Sequence, residues 1–156
     1  MRQIAVGVLL AVPATVIKQI ERKLGGARVL GTEVRSQADL ARLVQHRLPL
    51  AVLKGLSQAG LTDREIEALV IPQRTRRHRT QKAQPLTIDE SDRAVRLLRI
   101  LTLAERTFED AEKANRWLRK NLAELGGNTP LATTQTETGA RVVESILGKI
   151  AWGAAA

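Results

Sequence analysis

The chain has no cysteine and no tyrosine, and only 2% of its 156 residues are aromatic: two Trp and one Phe. Without cysteine there is no disulfide and no thiolate metal site, which fits a reducing cytoplasm. His46 and His78 stand far apart and bring no second ligand with them, so neither a metal nor another cofactor is expected. With so few aromatics a core must be built from Leu, Val, Ile and Ala, which suits helix-on-helix packing better than a sheet sandwich. Long apolar runs are missing too. Ile4 to Val12 follows a basic residue in the manner of a short secretion signal, with Ala11, Pro13 and Ala14 suggesting a cleavage region, but the run is too short to span a membrane. Residues 1–24 are read instead as an N-terminal extension, a helix or strand docking on the domain, and no membrane partner is expected.

What the chain does have is an ordinary 44% apolar content and a formal charge of +9 at pH 7. Excess positive charge points to a polyanionic partner when the cations are clustered. They cluster from Pro72 to Lys82, PQRTRRHRTQK, which holds Arg74, Arg76, Arg77, Arg79 and Lys82 and no acid.

The text before this cluster sets its context. Gly-rich GGARV, with Val29, Gly31 and Glu33 alternating, reads as a short extended piece, and Ser36 caps a helix from Gln37 to about His46 with Ala38, Leu40, Ala41, Leu43 and Val44 inward. His46 suits the negative end of that helix's dipole. Pro49 opens a helix that Gly60 ends, and Thr62 with Glu65 forms a capping box for a helix over residues 63–70. Pro72 interrupts that helix and seeds the next, from Gln73 to about Gln81. Two short helices joined by a tight turn are the helix-turn-helix pattern, and the basic run falls where its second helix would meet DNA. Gln73, Arg74 and Thr75 are candidates for base edges; Arg76, Arg77, Arg79 and Lys82 are candidates for phosphates. The region 25–82 is thus read as a DNA-binding unit, and residues 81–85 as a short junction.

Leu86 to Gly153 contains both Trp residues and the Phe. Thr87 and Glu90 form another capping box, followed by Ala94, Val95, Leu97, Leu98, Ile100, Leu101, Leu103, Ala104 and Phe108 at helical spacing, with Arg93, Arg96, Arg99 and Glu105 mostly on the other side. A second helix places Ala111, Ala114, Trp117 and Leu118 on one stripe. Gly126 and Gly127 stop it, and Thr129 with Pro130 starts a short helix or turn. The last segment, 137–152, puts Val142, Val143, Ile146, Leu147 and Ile150 on one face and ends in a small-residue tail, Trp152 to Ala156. Trp152 lies beyond the last amphipathic turn, where an aromatic side chain suits an interface.

Catalytic readings fail on the same text. The carboxylates Asp89 and Glu90 sit at a helix start, and Asp92, Glu105, Glu109, Asp110 and Glu112 are interleaved with Arg and Lys, which makes them solvated charge rather than an acid–base pair. The Gly126–Thr129 loop lacks both the Lys-Ser/Thr ending and the preceding strand of a phosphate loop. No nucleophile, base and oxyanion donor can be nominated together, so an enzyme is not expected.

The run ESDRAVRLLRILTLAERTF, the Trp117–Leu118 pair, the stretch GGNTPL, Thr138 with Gly139, and the closing LGKI followed by Trp152 and Gly153 resemble the toxin-binding domain of Xre/MbcA/ParS-type antitoxins, the partners of RES-domain toxins. The resemblance runs from about Val29, and its first half is similar to Xre-type repressors. It implies an all-α fold: an N-terminal Xre-like helix-turn-helix bundle, then a helical toxin-binding domain over 86–156. It further implies a RES toxin partner that degrades NAD or transfers ADP-ribose and whose cleft the antitoxin covers. Promoter DNA is implied as the second partner, met by an antitoxin homodimer. The toxin would meet Val143, Ile146, Leu147, Lys149, Ile150, Trp152, Gly153, Ala154, Ala155 and Ala156. Two positions depart from the family. Val70 stands where relatives usually carry Gly in the turn, and a β-branched residue disfavours positive φ, so a different turn geometry is expected. Arg47 stands where members often have Gly before Leu-Pro. A transcription regulator whose C-terminal half senses another partner is the alternative reading.

Overall fold

The computed structural model describes residues 12–154; the apolar N-terminal run apart from Val12, and the tail residues Ala155 and Ala156, lie outside them. The described residues form α1 (Ala14–Lys23), α2 (Gly26–Leu30), α3 (Gln37–Gln45), α4 (Val52–Gln58), α5 (Asp63–Leu69), α6 (Gln73–Lys82), α7 (Ile88–Phe108), α8 (Ala111–Leu118), α9 (Pro130–Thr133) and α10 (Glu137–Ala154), with one 3-10 turn at Ala123–Leu125. No strand occurs among them, and the all-α expectation holds.

Capping chemistry marks where the helices begin. Ser36, Thr62 and Thr87 each accept the backbone N–H three residues on, while the acid there, Asp39, Glu65 or Glu90, accepts the N–H of the cap in return. Asp110 and Thr129 cap α8 and α9 in the simpler one-way manner, with Pro130 at the first turn of α9.

Helix α7 is the spine. Its 21 residues span about 30 Å and pack against α1, α3, α4, α8 and α10. Ala94, Leu97, Leu98, Ile100, Leu101 and Ala104 along it are buried. Residues 14–24 dock on this core as a helix, with Val16, Ile17, Ile20 and Leu24 of α1 and its end all buried. Two glycines permit the tightest crossings. A Cβ on Gly55 of α4 would lie 1.7 Å from the Lys23 carbonyl, and one on Gly139 of α10 would lie 1.9 Å from the Thr133 carbonyl.

Several local expectations are corrected. The Gly-rich stretch near Val29 is helix α2, not extended chain, because Gly25 (φ 109°) and Gly31 (φ 73°) act as its start and stop. Ala38 and Ala41 face solvent, since α3 buries only the narrow stripe of Leu40 and Val44. Arg96 and Arg99 are not solvated; their side chains are 11% exposed and reach from α7 to α10. Val142 points outward at 43% exposure, while Val143 beside it is fully buried.

Candidate functional site

The α5–α6 pair is joined by Val70, Ile71 and Pro72. Val70 adopts φ −123° and ψ −65°, so the turn closes without the positive φ that a β-branched residue resists. The N–H groups of Val70 and Ile71 both donate to the Ile66 carbonyl, at 2.9 and 3.1 Å, and both side chains are 1% exposed. The turn is therefore anchored in the core, and Pro72 precedes the first residue of α6.

Helix α6 buries none of its residues. Gln73, Arg74, Arg77 and Lys82 are exposed, joined by His78 and Gln81, whereas Thr75, Arg76 and Arg79 line the half-buried side. Arg79 does not point at solvent. Its guanidinium donates to Oε2 of Glu90 on α7, and the two side chains are only 14% and 10% exposed. A carboxylate that buried needs a cation, so Arg79 is removed from the phosphate-facing set. Nothing in the basic run by itself distinguishes Arg79 from its neighbours. Arg76 keeps a loose contact with Asp63 at 3.6 Å. Among the described residues, the cations of the outer face without an acidic partner are Arg74, Arg77 and Lys82.

Arg47, just before the Leu48–Pro49 step, takes φ 66°. This is the left-handed region that glycine enters without cost. The strained backbone is held by the side chain, whose Nε donates to the Leu86 carbonyl at 2.9 Å.

At the C-terminal end of the described chain, α10 has two faces. Val143, Ile146 and Leu147, expected to touch a partner, are 0%, 8% and 2% exposed and pack into the chain's own core. Their apolar stripe is the one α10 needs to dock on its own body. Lys149 and Gly153 are exposed, Ile150 is half-buried, and Trp152 is 68% exposed. The helix runs on through Gly153, so the start of the expected tail is helical. Val142, Ser145, Lys149 and Trp152 follow one another at spacings of three and four and form one exposed line along α10.

The direction of α10 is set by charge as well as packing. Glu137 accepts from Arg96 Nε at 3.2 Å and from Arg99 at 2.9 Å, and Arg99 is also paired with Glu144 at 2.6 Å. Arg96 further donates to the Gln135 carbonyl at 2.9 Å, fixing the loop that enters α10. Trp117 is half-buried against Phe108, with ring centroids 5.6 Å apart.

Asp92 pairs with Arg96 and Glu112 with Arg116 along their own helices, and Glu105 of α7 pairs with Lys23 of α1. A cleft of about 370 Å³ where α1, α4, α7 and α8 meet is lined by Arg22, Lys23, Gln58, Glu105 and Asn115 among others, with no Ser, Thr or His among the described residues.

The two halves match two known domain families. Residues 39–99 match the antitoxin Xre-like helix-turn-helix domain, and residues 103–153 match the antitoxin Xre/MbcA/ParS C-terminal toxin-binding domain. Helix α7 contributes to both. An Antitoxin Xre of Pseudomonas putida is 44% identical over 121 residues, a stretch covering 78% of this chain and 76% of that protein. An Antitoxin Xre of Photorhabdus laumondii is 37% identical over 68 residues, or 43% of this chain and 46% of that protein. A basic helix on a helix-turn-helix frame and a separately clamped C-terminal helix ending in an exposed Trp thus occur together in a chain that belongs to the Xre family of antitoxins.

Proposed function

We propose that the chain neutralises a RES-domain toxin, one that degrades NAD or transfers its ADP-ribose, by seating the end of α10 over the toxin's active-site cleft. The observation that carries this reading is Trp152. It is 68% exposed at the end of a helix whose other face is buried and whose angle is fixed by Arg96 and Arg99. An exposed aromatic on a rigid support loses little entropy on docking, which is what an interface anchor requires. The small residues Gly153 to Ala156 would let the backbone there approach a cleft wall closely. The toxin-facing set is then Val142, Lys149, Ile150, Trp152 and the tail, while Val143, Ile146 and Leu147 support it from the core. Removing residues 152–156 tests the reading: toxin inhibition is lost, and full inhibition by the shortened chain refutes it.

The same chain represses the promoter of its own operon through α5–α6, as a homodimer whose two helix-turn-helix units read paired half-sites. Arg74, Arg77 and Lys82 contact phosphates, and Gln73 at the start of α6 approaches base edges. It works where DNA and toxin both are, in the cytoplasm. Binding of the duplex upstream of its gene should weaken steeply with salt, and Arg74→Ala should lower the slope of log K against log salt by about 0.9.

A further inference from the structure

Arg119 closes α8, in the half that matches the toxin-binding domain, yet its side chain is spent on the helix-turn-helix half. Nε and NH2 grip Glu65 of α5 in a fork, each at 2.8 Å. NH2 also donates to the Gly60 carbonyl at 2.9 Å, while NH1 donates to the Asn115 carbonyl at 3.0 Å and to its Oδ1 at 2.9 Å. Every N–H of the guanidinium has an acceptor, a use lysine could not reproduce. Gly60 sits at φ 103°, and a Cβ there would lie 2.9 Å from Asn115 Oδ1, so the two halves touch closely at this point.

We infer that Arg119 is a positioning residue for DNA contact, fixing the start of α5 and thereby the direction in which α6 presents Arg74 and Arg77. The inference rests on the DNA-binding half of the proposed function. Its physical basis is that α6 buries nothing of its own. Among the described residues, α6 is held by the buried turn from α5, by the loose Arg76–Asp63 contact and by the Arg79–Glu90 pair at its far end. Two of these three contacts run to α5, so α6 follows whatever moves α5. Glu65 is the handle: it caps α5 by accepting the Thr62 N–H at 2.8 Å and receives the Arg119 fork at the same time.

The test uses the full chain and a labelled duplex taken from immediately upstream of its gene, titrated over a salt series, with thermal melts and capture of the neighbouring toxin as parallel readouts. Arg119→Ala should bind DNA roughly tenfold more weakly, at an unchanged salt slope because no phosphate contact is lost. Arg119→Lys should remain weak, since it keeps the charge and loses the fork. Glu65→Gln, which retains the cap, should show the same loss and serves in place of Arg119→Ala if that variant does not fold. The double variant should be no weaker than either single one. Toxin capture should be unaffected. Wild-type DNA affinity in Arg119→Ala overturns the inference and leaves the DNA-binding reading standing. So does a salt slope lowered by about 0.9 and restored by Lys, which would make Arg119 a phosphate contact. Parallel loss of DNA binding, toxin capture and melting temperature also overturns it, by showing general unfolding. If the unaltered chain does not bind the duplex, the DNA-binding reading fails and this inference falls with it.

Discussion

Arg79 and Glu90 join the basic helix to the spine. The Glu90 oxygen that receives the Arg79 guanidinium also accepts the backbone N–H of Thr87 at 2.8 Å, so one buried carboxylate both starts α7 and tethers α6.

Glu90→Gln separates these two roles. The amide oxygen can still cap α7, but Arg79 is left in a site where it is 14% exposed without a counter-charge. A loss of about 2 kcal/mol is expected in urea unfolding, below the range for a fully buried pair because some solvent reaches this one. Arg77→Ala, on the outer face of the same helix, should change stability by less than about 0.5 kcal/mol. Equal stabilities for Glu90→Gln and the parent chain would show that the pair does not hold α6.

The two faces of α10 should separate cleanly. Leu147→Ala removes a side chain that is 2% exposed and should cost about 3 kcal/mol of folding stability. Trp152→Ala should leave the melting temperature in place, yet weaken toxin capture about 30-fold or more, the loss of roughly 2 kcal/mol that marks an interface anchor. Toxin capture unchanged by Trp152→Ala would move the contact surface elsewhere on the domain.

Arg47 makes a comparison of two small substitutions informative. Arg47→Ala keeps the positive φ and loses the bond to the Leu86 carbonyl, whereas Arg47→Gly loses the same bond and relieves the backbone. The glycine variant should therefore be more stable than the alanine variant by about 1 kcal/mol. Equilibrium unfolding of the two reads the difference directly, and identical midpoints would mean that the φ is not strained.

Acid should loosen the helix starts. The backbone N–H of Arg35, the Arg42 guanidinium and the Ser36 hydroxyl hold the Asp39 carboxyl at about 2. Burial pushes Glu65 up, but the Arg119 hydrogen bond, the Thr62 N–H and the Arg119 charge outweigh it and leave the carboxyl below its ordinary value. Asp110 is lowered chiefly by the backbone N–H of Lys113. Each group titrates lower in the folded chain than in the unfolded one. The folded state consequently binds fewer protons in that interval, and stability rises with pH through it. Stability should be full above about pH 5 and fall as the pH drops through the ordinary carboxylate range of about 4, with the Asp39 share lost last. Melting temperature against pH, repeated with Asp39→Asn, measures this; a profile that Asp39→Asn leaves unaltered would assign the acid sensitivity to other groups.

Local signals in the sequence located most helix starts, because each depends on residues no more than three apart in the chain. Thr62 with Glu65, Thr87 with Glu90, and Thr129 with Pro130 stand where the helices begin. The stretch near Val29 was misread because Gly25 and Gly31 serve as well to bound a helix as to loosen a strand. What the sequence could not yield was the pairing of distant groups. Arg79 looks like its neighbours until Glu90 is brought against it, and Arg119 carries no mark of its reach to Glu65, 54 residues away. The apolar stripe of α10 was visible, but not which partner it faces: Val143 and Leu147 meet the chain's own core, and only Val142 and Trp152 remain as large exposed apolar side chains on that helix. Arg47 could be noted as a departure from glycine, while its positive φ became apparent only in three dimensions.

The most direct measurement is NAD consumption by the protein encoded beside this chain, titrated with the full-length chain and, in parallel, with Trp152→Ala. Toxin inhibition through the end of α10 predicts that NAD loss stops at a fixed molar ratio with the unaltered chain and continues at that ratio with the variant. NAD left intact by the neighbour alone, or consumed however much chain is added, would contradict neutralisation of an NAD-consuming toxin and leave DNA binding as the function to pursue.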